Sequence, residues 1–128
     1  MKILLGNCFR NTVFGASIIA LILFGGKQSL SQSEIILESN DCDAEYDNRS
    51  VYGESSTNIQ FINEEDYPVK VYWLDYEGQR QHYFDLEPGE VYNQQTFVTH
   101  PWIVTEAEEK SCIDMFFPSY KPGIAIID

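Results

Sequence analysis

Basic residues are scarce in this 128-residue chain: eight lysines and arginines face 20 aspartates and glutamates, a formal charge of −12. Histidine occurs twice and cysteine three times. So few cations exclude the clustered Lys and Arg by which proteins hold nucleic acid or an anionic membrane surface. Isolated thiols without clustered histidines exclude a zinc site, and no other metal or cofactor is implied. The chain has no HExxH, no glycine-rich phosphate loop and no paired carboxylates in a catalytic setting. Its apolar run TVFGASIIALILFGG is short of the roughly 20 residues that span a bilayer.

The few cations are unevenly placed. Lys2, Arg10 and Lys27 lie in a leading segment without a single acidic residue, and they flank that apolar run. Ser29 and Ser31 sit at the −3 and −1 positions of a cleavage site before Gln32. Residues 1–31 therefore read as a secretory signal peptide, with an uncleaved signal anchor as the alternative. Cleavage leaves no stable membrane insertion and a secreted or periplasmic domain. The remaining five basic and 20 acidic residues give −15, which favours neutral or basic partners.

Cys42 and Cys112 are the cysteines that survive cleavage, and a pair in an exported domain is expected to be bonded. Residues 32–57 are polar, acidic and aperiodic, an extended arm pinned by Cys42. Within it DCDAEYD alternates acids as a calcium loop does. It lacks the glycine at position six and the glutamate at position twelve, so it reads as a solvated acidic run.

From Asn58 onward the pattern is short strands and tight turns. NIQFI alternates, VKVYWLDY is β-branched and aromatic, and Gly78 marks a hairpin whose return strand is RQHYFDL. Pro88 and Gly89 stand where a type II turn needs them. VYNQQTFVTHPWIV, broken by Pro101, is followed by CIDMFF and GIAIID. Regular short strands of this kind predict an all-β sandwich over residues 58–128. In VKVYWLDY, Val69, Val71 and Trp73 share one face and Tyr72, Leu74 and Tyr76 the other. One face can pack the core and the other form an aromatic surface, or Trp73 can simply fill the core. His82 reads as a solvent-facing strand residue.

QQTFVTHPW places Thr96, His100 and Trp102 at even spacing, which on one strand puts all three on one face. A hydroxyl, an imidazole and an indole make a poor core and a good wall for a small polar ligand. Thr96 and His100 could imitate a nucleophile and base, but no third residue or oxyanion loop accompanies them, so an enzyme is not expected.

IQFINEEDYPVKVYWLDYEGQRQHYFDLEPGEVYNQQTFVTHPWIV and the following FFPS resemble the von Hippel–Lindau β-domain family over roughly residues 58–127. The resemblance rests on the Asn63-to-Trp73 segment, the W-L-x-[YF]-x-G turn, Tyr83, the Leu-x-Pro-Gly turn and the H-x-W pair, in order and at unchanged spacing. It implies a seven-stranded β-sandwich that binds 4-hydroxyproline in a peptide. It also implies that Trp73, Tyr83, His100 and Trp102 wall the pocket. Thr96 replaces a serine whose hydroxyl, with the histidine, meets that of the ligand; Phe97 replaces a tyrosine. The helical domain that recruits a ubiquitin ligase through elongin has no counterpart after GIAIID, so no elongin or ubiquitin-ligase partner is expected.

The expected function is thus a non-catalytic module for a hydroxyproline-containing peptide or protein, with a carbohydrate-binding or purely structural extracellular sandwich as alternatives. A two-residue Glu77-Gly78 loop would pair Trp73 with His82 and send Trp73 and Tyr83 to opposite faces. A shared pocket requires an odd-length loop or a bulge, with Gly78 or a neighbour at positive φ.

Overall fold

The computed structural model describes residues 32–108 and 110–128. The signal-peptide reading of residues 1–31 lies outside them. No helix among the described residues is long and apolar enough to cross a membrane.

Among the described residues, eight strands form two four-stranded sheets. The first sheet holds β1 (Ile35–Ile36), β8 (Gly123–Ile127), β2 (Ser56–Asn63) and β5 (Val91–Phe97), in that order across the sheet. The second runs β4 (Arg80–Leu86), β3 (Val69–Leu74), β6 (Trp102–Glu106), β7 (Cys112–Phe116), with every pair antiparallel. This is the expected all-β sandwich with eight strands rather than seven. The arm contributes the two-residue β1, paired in parallel with β8.

Alternation sets the core. Ile59 and Phe61 of β2 point inward against Val69 and Val71 of β3, Trp102 and Val104 of β6, and Phe116 of β7, all at 2% exposure or less. Each such side chain contributes about 1.5–3 kcal/mol on burial. The opposite face of the second sheet is also buried. There Leu74, Ile103 and Met115 pack with Ala44, Tyr72, Cys112 and Phe117. Leu74 and Tyr72 therefore pack beneath Ala44 of the arm, and the Val69, Val71 and Trp73 face packs the main core.

The arm is fastened at more points than Cys42. Cys42 is bonded to Cys112 with Cα atoms 6.0 Å apart. Cys42–Asp47 forms a 3₁₀ turn, and Glu45 in it accepts two hydrogen bonds from Arg80, Nε at 2.6 Å and Nη2 at 2.7 Å. The hydrogen bond and charge of Glu45 raise the Arg80 pKa and outweigh burial, which acts against the charged form.

The β3–β4 connection meets the requirement of a shared pocket twice over. Leu74 pairs with Arg80, leaving the odd-length loop 75–79. Its Gly78 takes φ +79°, a left-handed conformation that glycine adopts without a Cβ penalty. Further along, Val71 pairs with Phe84 but Tyr72 pairs with His82. Tyr83 is thus the extra residue of a β-bulge and turns toward the side of Trp73. In the β4–β5 turn Gly89 has φ +84°, and Glu90 N–H donates to the Glu87 carbonyl at 2.9 Å, as Pro88-Gly89 predicts for a type II turn.

Asp75 organises the first of these turns. Its Oδ1 accepts from the backbone N–H of Glu77 and Gln79, and its Oδ2 from Gln81 Nε2. The backbone bond from Gln79, then the Gln81 amide, hold its pKa below the ordinary 3.8. A depressed folded-state pKa contributes stability that is present above 3.8 and lost as pH falls through the lower folded value. Asp75→Ala is accordingly expected to lower the urea midpoint at pH 7, with the gap to wild type closing in acid. A gap that persists after the wild-type carboxyl is protonated would contradict this role.

Candidate functional site

Thr96, His100 and Trp102 do not lie on one strand. Thr96 is the last residue but one of β5 in one sheet and Trp102 begins β6 in the other, with His100 in the corner between them. The corner is held by His100 N–H to the Phe97 carbonyl at 3.0 Å and Val98 N–H to the Ser55 carbonyl at 3.0 Å. Even spacing failed as a face rule because the chain changes sheets before Pro101. The three side chains converge by folding around that corner instead.

Trp73, Tyr83, Thr96, His100 and Trp102, together with Tyr76, Phe97 and the Gln94–Gln95 segment, line one cavity of about 280 Å³. Trp73 and Trp102 are register partners on β3 and β6. Tyr83, carried over by the bulge, stands edge-on to Trp102 with ring centroids 4.9 Å apart, and 6.3 Å from Trp73. Trp73 is half-buried: it packs against the core and also forms cavity wall. A larger open cleft lies along residues 45–49 and 77–80. Its polar, charged walls include the Arg80–Glu45 pair, and it lacks the convergent apolar walls of a ligand pocket.

The polar end of the cavity is buried. Thr96 is 3% and His100 9% exposed. The Trp102 indole N–H donates to Thr96 Oγ1 at 2.9 Å. Oγ1 donates to no acceptor among the described residues, so its proton is free for a ligand. Burial pushes the His100 imidazole below its ordinary pKa of 6.5, which keeps it neutral at pH 7, with one nitrogen donating and the other accepting. His100 Nε2 lies 3.3 Å from Tyr76 Oη.

Two contributors escaped sequence reasoning. Ser50 Oγ accepts the Trp73 indole N–H at 2.7 Å and donates to the Leu74 carbonyl at 2.5 Å, fixing the Trp73 ring from the arm. Nothing local in NRSVYG marks this. Strand alternation places Tyr76 on the Tyr72 face. Alternation ends with β3 at Leu74, and the turn brings Tyr76 to Trp73, with ring centroids 5.3 Å apart. Its place in the W-L-x-[YF]-x-G segment was the available signal. His82, by contrast, is solvent-facing and pairs with Asp85 at 2.6 Å.

Residues 48–117 match the family model of the VHL beta domain, the von Hippel–Lindau β-domain. The match begins ahead of the stretch that carried the resemblance and takes in Ser50. No curated protein matches the chain. The family's β-domain is a substrate-recognition module, known for hydroxyproline, and is not catalytic. With a two-sheet β-sandwich and a family match covering more than half of its 128 residues, the chain belongs to the VHL beta domain family.

Proposed function

We propose that this domain is a non-catalytic module that binds 4-hydroxyproline in a peptide or protein partner. The observation that carries this reading is the single cavity in which Trp73, Tyr83 and Trp102 form apolar walls and Thr96 and His100 a buried polar end. A hydroxyproline ring is a small apolar disc bearing one hydroxyl. Rigid aromatic rings suit its faces and lose little entropy on contact. Its hydroxyl can accept the free Thr96 proton and hydrogen-bond the neutral imidazole. Plain proline leaves those buried groups unpaired, at about 1–3 kcal/mol each.

A volume of about 280 Å³ suits one small ring better than a sugar chain. The Cys42–Cys112 bond is at home in an oxidising compartment. With the leader-like residues 1–31, it supports an exported protein that meets its ligand outside the cytosol.

Titration of the domain with hydroxyproline peptides, matched proline peptides and oligosaccharides tests the reading. The hydroxylated peptide is expected to bind about tenfold or more tightly than its plain counterpart. At −15 for residues 32–128, binding should also favour basic peptides, increasingly so at low salt. Binding of oligosaccharides alone, or equal binding of both peptides, would overturn it.

A further inference from the structure

Tyr76 is exposed over 45% of its surface, yet it is not a loose surface phenol. Its ring stands edge-on to Trp73 at 83° and to His100 at 87°, with centroids 5.3 Å and 5.5 Å away. It belongs to the loop fixed by Asp75 and by Gly78 at φ +79°. Its hydroxyl oxygen lies 3.3 Å from His100 Nε2. His100 Nδ1 has no hydrogen-bond partner among the described residues.

We propose that Tyr76 is a specificity-determining positioning residue, whose phenol oxygen holds His100 Nε2 so that the imidazole meets a ligand hydroxyl with its other nitrogen in a defined orientation. This assignment rests on the hydroxyproline reading above. A neutral imidazole has one N–H and one lone pair, and which nitrogen carries the proton follows from the partner of the other. A phenol can donate or accept, so it holds Nε2 whether Nδ1 must donate or accept. Phenylalanine would keep both aromatic contacts and remove only this hold. Thr96 is already oriented by the Trp102 indole. Tyr76 gives His100 the equivalent support, and the two hydroxyl-reading groups are then preorganised from independent elements.

Tyr76→Phe tests this with two readouts. Nitrogen-15 spectra of the His100 ring in the free protein report the tautomer and need no ligand. Paired titrations with a hydroxyproline peptide and its proline counterpart report the discrimination ratio. The expected result is a displaced His100 nitrogen pattern and a ratio reduced about fivefold, the loss of one modest hydrogen bond. An unchanged nitrogen pattern would overturn the proposal, because Tyr76 would then not be holding the imidazole. So would an unchanged ratio with a displaced pattern, since the hold would be irrelevant to specificity. Failure of the wild type itself to discriminate would overturn the hydroxyproline reading and the specificity role together. The nitrogen spectra would still report whether the Tyr76–His100 contact exists.

Discussion

Trp102→Ala is expected to destabilise the domain by about 3–5 kcal/mol, as large-to-small changes at buried aromatics do. Trp102 is 2% exposed and sits on β6, between β3 and β7. Its ring meets Phe61 at 5.8 Å and Tyr83 at 4.9 Å, both edge-on. As a wall of the proposed pocket, Trp102 would on removal weaken hydroxylated and plain peptides alike. The structure adds a second role, because Trp102 is a central member of the core. Truncation opens a cavity and also strips Thr96 Oγ1 of its indole donor. Small domains are stable by only about 5–15 kcal/mol, so the loss is a large fraction of the total. Urea unfolding measures it, and a midpoint within error of wild type would contradict the core role. Trp102→Phe, which keeps a ring and removes the N–H, separates the two contributions: most stability should return while the orientation of Thr96 does not.

Reduction of the Cys42–Cys112 bond is expected to cost a similar amount. The bond closes a span of 70 residues, for which the loop-entropy relation gives about 4 kcal/mol. It also fastens the arm over Leu74, Ile103 and Met115, a cluster that would otherwise face water. The Arg80–Glu45 pair would remain, but a partly exposed ion pair contributes about 1 kcal/mol or less. A thermal midpoint lower by more than about 15 °C in reductant is the expected outcome for a domain of this size. Intact mass showing two free thiols in the native protein, or a midpoint indifferent to reductant, would contradict it.

Features set by neighbouring residues were legible in the sequence. Pro88-Gly89 and Gly78 announced their turns because backbone chirality restricts what can stand at positive φ. The strands were legible because period-two patterning survives wherever one face is buried. β3 misled, because it is buried on both faces and alternation does not say which neighbour covers which side. Pocket residues were named by order and spacing in a resemblance, not by any face rule. The rule offered for Thr96, His100 and Trp102 was wrong in geometry, although the three do meet. A shared pocket required an odd-length loop or a bulge, yet the position of the bulge at Tyr83 had no sequence mark. Ser50 and Tyr76 stayed hidden for a related reason. Each acts across a chain crossing, on Trp73 and on His100 respectively, and such partners are chosen by tertiary structure.

A double-mutant cycle between the His100 imidazole and the ligand hydroxyl tests the central claim most directly. Four calorimetric titrations suffice: wild type and His100→Ala, each with a hydroxyproline peptide and the same peptide carrying proline. Any general weakening of His100→Ala applies to both peptides and cancels, leaving only the interaction of the two groups. A module that reads hydroxyproline through His100 should give a coupling of about 1–3 kcal/mol, with discrimination eroded in the variant. A coupling indistinguishable from zero, with both peptides bound equally by both proteins, would contradict the account.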